Sequence, residues 1–349
     1  MPPRKSPGTA TPQRTRSTGF ASVVGHAHTI AALQGQRRLG RLAHAYCLIG
    51  EEGVGKTSVA RALAEELLLG PGQPPRLDVH PDFWIDDRDE AISIDEIRFK
   101  PERVAEVHDQ SLQQFLSLKP FVASGRVAIL ANAERMTEAA QNCLLKTLEE
   151  PPPNTVLVLT TAYPDHLLAT CLSRCQLLQL APVPAATLGT WLQTAWHAKE
   201  RAPDLAALSH GRPGWAVRAL SDPARLAAAE RWEAELPALA FADVDTILGY
   251  AVRFGQGPAA DQRLVAGEAL RALTAWLRDA VLVQAGLAET PLSPSRRRAL
   301  EHWVSGVPAA HLRASLAGAQ RTQLLIDQNV NPRLAMEVLL LDSRVPVPA

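Results

Sequence analysis

The octapeptide GEEGVGKT at residues 50–57 has the complete spacing of a phosphate-binding loop. The apolar run 45–49 before it is typical of a buried strand, and the pattern over 57–69 predicts a helix after it. In this context glycines let backbone amides turn toward phosphate oxygens, Lys56 reaches the terminal phosphates, and Thr57 can ligate magnesium. The candidate nucleotide-binding residues of the loop are Gly50, Gly53, Val54, Gly55, Lys56, Thr57 and Ser58.

A nucleotide hydrolase needs two further acids, one to hold the magnesium and one to activate the attacking water. In this architecture they follow the strand that ends near Leu130, where the sequence has Ala131 and Asn132. Alanine cannot ligate a metal, and asparagine cannot accept a proton at neutral pH. Glu134 lies off the expected register and is interpreted as a surface carboxylate at a helix entrance. We therefore expect ATP or ADP to bind as a structural ligand without hydrolysis, and no intrinsic ATPase activity.

Five short apolar runs alternate with helical stretches in the first half of the chain. The runs, which predict strands, are 45–49, 82–86, 127–131, 155–160 and 176–180. Helical spacing covers 25–41, 57–69, 102–118 and 137–150, the last with Thr137 as its cap. This alternation predicts an α/β domain with a mainly parallel sheet that is covered on both faces.

Beyond about Pro184 the pattern changes to one helix after another. We predict a disordered basic tail at 1–20, the α/β domain at 21–182, a small helical domain at 183–225 and a larger all-helical domain at 226–349.

Composition narrows the possible functions. The 36 basic and 36 acidic residues cancel, so the whole chain offers no broad electrostatic attraction to nucleic acid. No apolar run approaches the roughly 18 to 20 residues of a membrane span.

The cysteines Cys47, Cys143, Cys171 and Cys175 are scattered through predicted strands and helices, which is typical of reduced thiols in a cytoplasmic protein. No second cysteine pair or nearby histidine completes a zinc set, so no zinc or other protein-held metal is expected.

Four segments carry a resemblance to a known family: 50–57, HPD at 80–82, NCLLKTLEEPP at 142–152, and SRC at 173–175. From Val24 to about Leu180 the chain resembles the clamp-loader branch of the AAA+ ATPases. The last two segments are similar to those of subunits of the bacterial DNA polymerase III clamp loader. The resemblance implies a P-loop AAA+ domain, a helical lid domain after it, and an all-α collar or oligomerisation domain at the C-terminus.

Within that family the chain is similar to the delta-prime branch, which lacks ATPase activity yet keeps the Ser-Arg-Cys motif. The motor branch, gamma or tau, has an acidic pair at the positions of Ala131 and Asn132. It usually also has a cysteine-rich zinc insertion, where 70–79 has no cysteine. Motor subunits further direct a lid arginine to the nucleotide, from a position that is Gly214 here. The segment NVNPRL at 329–334 also resembles the end of the delta-prime collar.

The resemblance assigns two more roles and a set of partners. Arg174 is the candidate catalytic residue, acting in trans as an arginine finger on the γ-phosphate held by a neighbouring motor subunit. Thr161 matches the family's polar sensor of the terminal phosphate. The implied partners are gamma/tau motor subunits and a delta subunit in a pentameric clamp loader. Sliding clamp and primer-template DNA are reached through this hetero-oligomer, and no membrane is involved.

Two other functions stay open. One is a gamma/tau-type motor subunit that hydrolyses ATP with Glu134 or with an acid from elsewhere. The other is a P-loop small-molecule kinase, which shares the loop and the parallel sheet. A kinase does not predict the helical third of the chain or the segment 173–175.

Overall fold

In a computed structural model of the chain, the described residues are 18–70, 76–88, 90–99, 110–287, 294–328 and 330–345. The chain divides into two compact units. The first, called the α/β unit, comprises Pro12–Lys199 and Gly211–Val217. The second, called the helical unit, comprises Glu200–His210 and Arg218–Ala349. The predicted tail at 1–20 lies mostly outside the described residues, and the predicted boundaries near 182 and 225 stay predictions.

A five-stranded sheet forms the centre of the α/β unit. Its strands are β1 (Ala45–Ile49), β2 (Phe83–Asp86), β3 (Arg126–Leu130), β4 (Thr155–Thr161) and β5 (Gln176–Gln179), in the spatial order β2-β3-β4-β1-β5. Every neighbouring pair is parallel, and Ile49 at the end of β1 lies opposite Thr161 at the end of β4. The predicted parallel sheet is confirmed, with each strand end within one residue of its predicted position.

Helices cover both faces of this sheet. Those of the α/β unit are α1 (Ala27–Arg38), α2 (Lys56–Leu68), α3 (Ile94–Ile97), α4 (Leu112–Ser117), α5 (Glu138–Glu149), α6 (Ala169–Leu172) and α7 (Ala185–Ala195). On one face Leu48 of β1 shares a core with Leu63 of α2. On the other face Leu130 of β3 shares a core with Leu144 of α5. Strands buried on both sides explain the nearly continuous apolar runs in the sequence.

Side-chain caps define where two of these helices begin. Thr137 Oγ1 accepts a hydrogen bond from the Ala140 N–H at 3.2 Å and caps α5, as predicted. Ser111 Oγ accepts from the Gln114 N–H at 3.4 Å and caps α4. Helix α4 is the described end of the helix predicted at 102–118, whose residues 102–109 lie outside the described part of the chain.

The remaining helices are α8 (Ala202–Leu208), α9 (Pro213–Ser221), α10 (Pro223–Ala238), α11 (Val244–Ala251), α12 (Ala259–Gln284), α13 (Pro294–Val304), α14 (Ala309–Asp327) and α15 (Pro332–Asp342). The long helix α12 packs against α10, α13, α14 and α15. Its Leu270 and Trp276 share a core with Trp232 of α10. Asn331 caps α15 by accepting from the Leu334 N–H at 3.3 Å. Among the described helices, none has the length and apolar character needed to cross a membrane.

Candidate functional site

The loop 50–57 joins the carboxyl end of β1 to the start of α2, as predicted. Gly53 and Gly55 have φ angles of 79° and 113°, in the left-handed region that glycine adopts without strain. A Cβ on Gly50 would lie only 2.7 Å from the Leu180 carbonyl oxygen, so any other residue there would force the backbone to shift. The path of the loop therefore depends on its glycines, as expected of a cradle for phosphate.

Lys56 lies inside this loop. Only 6% of its surface is exposed, and its Nζ donates to the carbonyl oxygens of Gly50 at 2.7 Å and Glu51 at 2.9 Å. Burial lowers the pKa of the Lys56 ammonium, while the negative charge of Glu134 and two loop glutamates acts in the opposite direction. Thr57 follows in the first turn of α2. An inward ammonium followed by a hydroxyl at a helix start fits the phosphates of a nucleotide with a bound cation.

His26 contacts the loop, although its sequence pattern did not predict this. Its Nε2 lies 3.0 Å from the Val54 carbonyl oxygen. Burial lowers the pKa of His26, and the hydrogen bond to Val54 offsets this only in part. The neutral ring is favoured, with Nε2 as the donor to Val54. Its one sequence signal, a Gly-His pair just before α1, is too short to indicate a role.

The end of β3 has no carboxylate at either of the two expected positions. Ala131 is buried and donates its N–H to the Asp86 carbonyl oxygen at 2.8 Å. Asn132 has a left-handed φ of 50°, and its N–H donates to Thr160 Oγ1 at 3.0 Å. An arginine instead occupies this strand end, because Arg135 Nη2 donates to the Ala131 carbonyl oxygen at 2.8 Å. Neither Ala131 nor Asn132 therefore offers a carboxylate to a metal ion.

Asp86, the acid at the end of the neighbouring strand β2, is engaged elsewhere. Its Oδ2 accepts from Arg88 Nη2 at 2.5 Å, and its Oδ1 lies 3.7 Å from Arg135 Nη2. The Asp86 side chain is fully buried between these two cations. It is thus part of a local ion-pair network and does not substitute for the missing acids.

Glu134 lies at a helix entrance, as interpreted, in the short 3-10 helix Ala133–Arg135, but it is only partly exposed and is not a fully solvated surface carboxylate. Its Oε1 accepts from the Ala162 N–H at 3.3 Å, just beyond the end of β4. Its Oε2 is shielded from solvent and has no hydrogen-bond partner among the described residues. Burial has the largest influence on the pKa of Lys56, and the charge of Glu134 has the second largest. The carboxylate therefore belongs to the strand ends beside the phosphate loop.

Thr161 lies at the strand end where the resemblance implies a sensor. It is fully buried, and its Oγ1 accepts from the Tyr163 N–H at 3.0 Å. Its carbonyl oxygen accepts from the Gly50 N–H at 3.2 Å, which joins the end of β4 to the start of the loop. Its role toward a terminal phosphate stays a prediction.

Gly214 contacts the phosphate loop through its backbone. Its N–H donates to the Gly53 carbonyl oxygen at 2.8 Å, and a Cβ there would lie 3.1 Å from the same oxygen. The nearest arginine in sequence, Arg212, is buried, with its guanidinium 5.7 Å from the centroid of the Trp215 ring. The position assigned to the lid arginine of motor subunits is thus occupied by a close backbone contact.

Arg174 follows α6 and is partly exposed. Its Nη2 donates to Glu149 Oε1 at 2.6 Å and its Nη1 to the Thr170 carbonyl oxygen at 2.9 Å. The side chain keeps 35% of its surface exposed, and that of Glu149 keeps 50%. Glu149 belongs to the segment 142–152, so the two segments most specific to the resemblance meet here. Glu149 was not predicted as the partner of Arg174, although both segments pointed to this place.

Cys47 lies in β1, whereas Cys171 lies in α6 and Cys175 follows it, on either side of Arg174 in the sequence. Burial raises the pKa of the Cys175 thiol to about 12, with contributions from Cys47 and Cys171. Burial and the charge of Glu134 likewise raise the pKa of Cys47 to about 12. These thiols are protonated at neutral pH and pack as small apolar side chains. Within the described residues, no group of three or more His, Cys, Asp or Glu is placed to hold a metal ion.

The HPD segment at 80–82 stabilises a loop instead of forming a reaction site. The buried Asp82 carboxylate accepts from the N–H groups of Phe121, Val122 and Ala123 at 2.7 to 2.9 Å. Arg126 Nη2 lies 3.4 Å from the same carboxylate. Burial raises the pKa of Asp82, but the three N–H donors and Arg126 outweigh it, so the net pKa lies below its ordinary value.

Comparisons with known proteins show what this part of the chain is similar to. Residues 25–184 match the model of the family described as DNA polymerase III, delta subunit. The chain is 36% identical over 191 residues to DNA polymerase III subunit delta' of Pseudomonas aeruginosa, which is 50% of this chain and 55% of that relative. It is 34% identical over 167 residues to DNA polymerase III subunit tau of Escherichia coli, which is 47% of this chain and 25% of that relative.

Among solved structures, a DNA polymerase III gamma subunit-related protein of Thermotoga maritima is 21% identical. The alignment covers 89% of this chain and 98% of that chain, with a TM-score of 0.37. The match to the Pseudomonas relative spans about half of its length. The family model over residues 25–184 and the relatives named delta' support a clamp-loader subunit of the delta-prime type, built on an α/β domain with a parallel sheet that is followed by a helix-rich region.

Proposed function

We propose that this chain is the non-hydrolysing stator subunit of a DNA polymerase III clamp loader. In this role it binds ATP or ADP without breaking it and presents Arg174 to a nucleotide held by a neighbouring motor subunit. The observation that carries the proposal is a contrast between two places in one domain. The strand end at Ala131 and Asn132 has no acid for hydrolysis, whereas the Arg174 guanidinium is partly exposed.

The chain's own phosphate site supports binding more than turnover. The glycine-dependent loop and the inward ammonium of Lys56 suit phosphate oxygens. Hydrolysis needs a metal-holding acid and a second group that activates water. Asp86 is engaged by two arginines, which leaves Glu134 as one carboxylate for two tasks. A single carboxylate that holds a cation cannot also accept the proton of the attacking water.

Arg174 has the chemistry that a finger in trans requires. A guanidinium is planar and permanently charged, so it stabilises the charge that develops on a transferred phosphoryl group. Its pair with the half-exposed Glu149 is of the weak surface type. A neighbour's triphosphate can therefore replace Glu149 as the anion that Arg174 contacts, at little cost to the folded chain.

The helical unit supplies a surface suited to assembly. Leu324 of α14 and Leu334 and Val338 of α15 keep 56% to 59% of their surface exposed. Exposed apolar side chains on adjacent packed helices are typical of protein interfaces. We assign this surface to a collar that joins the chain to gamma/tau and delta subunits in a cytoplasmic pentamer. Contact with the sliding clamp and primer-template DNA follows through that complex.

Reconstitution with motor subunits, a delta subunit, clamp and primed DNA tests the finger. We expect Arg174→Ala to lower clamp-stimulated ATP turnover by about a thousandfold, the lower range for loss of an arginine finger. Arg174→Lys keeps the charge but not the planar fork, so it should restore little of the activity. The exposed Arg38→Ala is the matched control and should leave turnover unchanged. If Arg174→Ala supports normal turnover and clamp loading, the finger assignment is wrong.

A gamma/tau-type motor subunit is the second candidate, because Glu134 faces the phosphate site and the chain is similar to tau. It predicts magnesium-dependent ATP hydrolysis by the isolated chain, abolished by Lys56→Ala. The stator proposal predicts that the isolated chain binds nucleotide and releases no phosphate above the Lys56→Ala background.

A further inference from the structure

Glu134 is joined to the phosphate loop by a short chain of backbone contacts. Its Oε1 accepts from the N–H of Ala162 at 3.3 Å. The preceding residue, Thr161, accepts from the Gly50 N–H through its carbonyl oxygen at 3.2 Å. The Gly50 carbonyl oxygen in turn accepts from Lys56 Nζ at 2.7 Å. The carboxylate therefore lies at the strand ends from which the loop starts.

The second oxygen of this carboxylate is unusual. Glu134 Oε2 is shielded from solvent and has no hydrogen-bond donor within the described part of the chain. An enclosed acceptor without a donor lowers the stability of the fold by about 1 to 3 kcal/mol, and by more when the acceptor is charged. Carboxylate oxygens are also the ligands that magnesium and calcium prefer. The group is thus available to a cation that arrives with a ligand.

A cation here needs more ligands than the described residues provide. These residues contain no group of three or more side chains placed to hold a metal ion. Phosphate oxygens and the Thr57 hydroxyl, the position that ligates magnesium in phosphate loops, can supply the others. Without a cation, a carboxylate near phosphates repels them, and a divalent ion between them reverses the sign of that interaction.

We propose that Glu134 supplies the protein carboxylate through which this loop takes up a divalent cation together with a nucleotide. The proposal rests on the nucleotide-binding part of the proposed function and is independent of the Arg174 finger. Glu134 lies in the turn after β3. In this proposal it binds the cation in place of the acid that is missing at the end of β3. It leaves no second carboxylate for water activation, which accounts for binding without turnover.

Calorimetric titration of the full chain with ADP, in magnesium and in EDTA, tests the proposal. We expect the wild-type chain to bind ADP about tenfold or more tightly in magnesium than in EDTA, or about 1.4 kcal/mol. Glu134→Gln keeps an oxygen for the Ala162 N–H but loses the charge, so this ratio should fall to about twofold or less. The exposed Glu138→Gln, in the same segment, is the matched control and should keep the wild-type ratio.

Manganese provides a second readout. In electron paramagnetic resonance, manganese with ADP should become immobilised on the wild-type chain and on Glu138→Gln, but not on Glu134→Gln. An unchanged magnesium-to-EDTA ratio in Glu134→Gln would overturn the role of Glu134 and leave nucleotide binding intact. If the wild-type chain binds no ADP under either condition, this proposal and the nucleotide-binding part of the proposed function both fail, while the finger in trans stands on its own test.

Discussion

Two acid–arginine pairs in the α/β unit share the same chemistry in opposite surroundings. Asp82 and Arg126 lie 3.4 Å apart, with 0% and 6% of their side-chain surfaces exposed. Glu149 and Arg174 lie 2.6 Å apart, with 50% and 35% exposed. The acid of the first pair lies in the segment 80–82, and the two members of the second lie in 142–152 and 173–175. Each pair therefore contains a residue of a segment that carried the family resemblance.

The difference in burial separates a motif that serves the fold from one that we propose serves a partner. Removing one member of a buried pair leaves an uncompensated charge in a poorly solvated place. Removing one member of an exposed pair costs little, because water and salt already weaken the attraction. Arg126 is thus committed to the fold, whereas Arg174 can exchange its carboxylate for another anion.

The largest effect on stability is expected at the buried pair. Asp82→Asn removes the charge opposite Arg126 and weakens the three backbone hydrogen bonds to residues 121–123. We expect the free energy of unfolding to fall by about 3 kcal/mol, in the range for breaking a buried ion pair. Denaturant titration of the isolated chain measures this. The exposed Asp165→Asn should change stability by less than about 0.5 kcal/mol, and equal losses in both variants would contradict the comparison.

The same pair predicts that the stability of the folded chain decreases as the pH falls into the acid range. The pKa of Asp82 in the folded chain lies below its ordinary value, so the unfolded chain takes up this proton first as the pH falls. The stabilisation is fully present above the unfolded pKa, about 4, and is lost as the pH falls through the folded pKa. Unfolding curves between about pH 6 and pH 3 should therefore show a smaller loss of stability in Asp82→Asn than in the wild-type chain. Parallel losses in the two chains would mean that other groups dominate.

Local patterns were sufficient to predict the sheet, the phosphate loop and the cap of α5. Each depends on residues close in sequence: apolar runs for the strands, glycine and lysine spacing for the loop, and Thr137 for the helix start. The absence of an acid at Ala131 and Asn132 was equally local, because it needed only the end of one apolar run.

Contacts between distant residues were not predictable in the same way. The direction of Glu134 depends on the left-handed turn at Asn132 and on an N–H donor 28 residues away, which no periodicity indicates. The pairing of Arg174 with Glu149 joins residues 25 apart. His26 reaches the loop across 28 residues. Each contact joins different elements of the α/β unit, so these roles follow only once the packing of those elements is known.

The smallest effect is expected at the exposed pair. Arg174 retains the Thr170 carbonyl oxygen as a contact when Glu149 is changed, so Glu149→Gln should not unfold the segment. If Arg174 is the proposed finger, Glu149 competes with a neighbour's phosphate for the guanidinium. Its loss should then raise clamp-stimulated ATP turnover of the reconstituted complex, by up to about fivefold for a pair of about 1 kcal/mol. The exposed neighbour Glu150→Gln is the matched control and should leave turnover as it is. A tenfold or greater loss of turnover in Glu149→Gln would show instead that the carboxylate positions Arg174, and the contrast between an architectural pair and an exchangeable one would no longer hold.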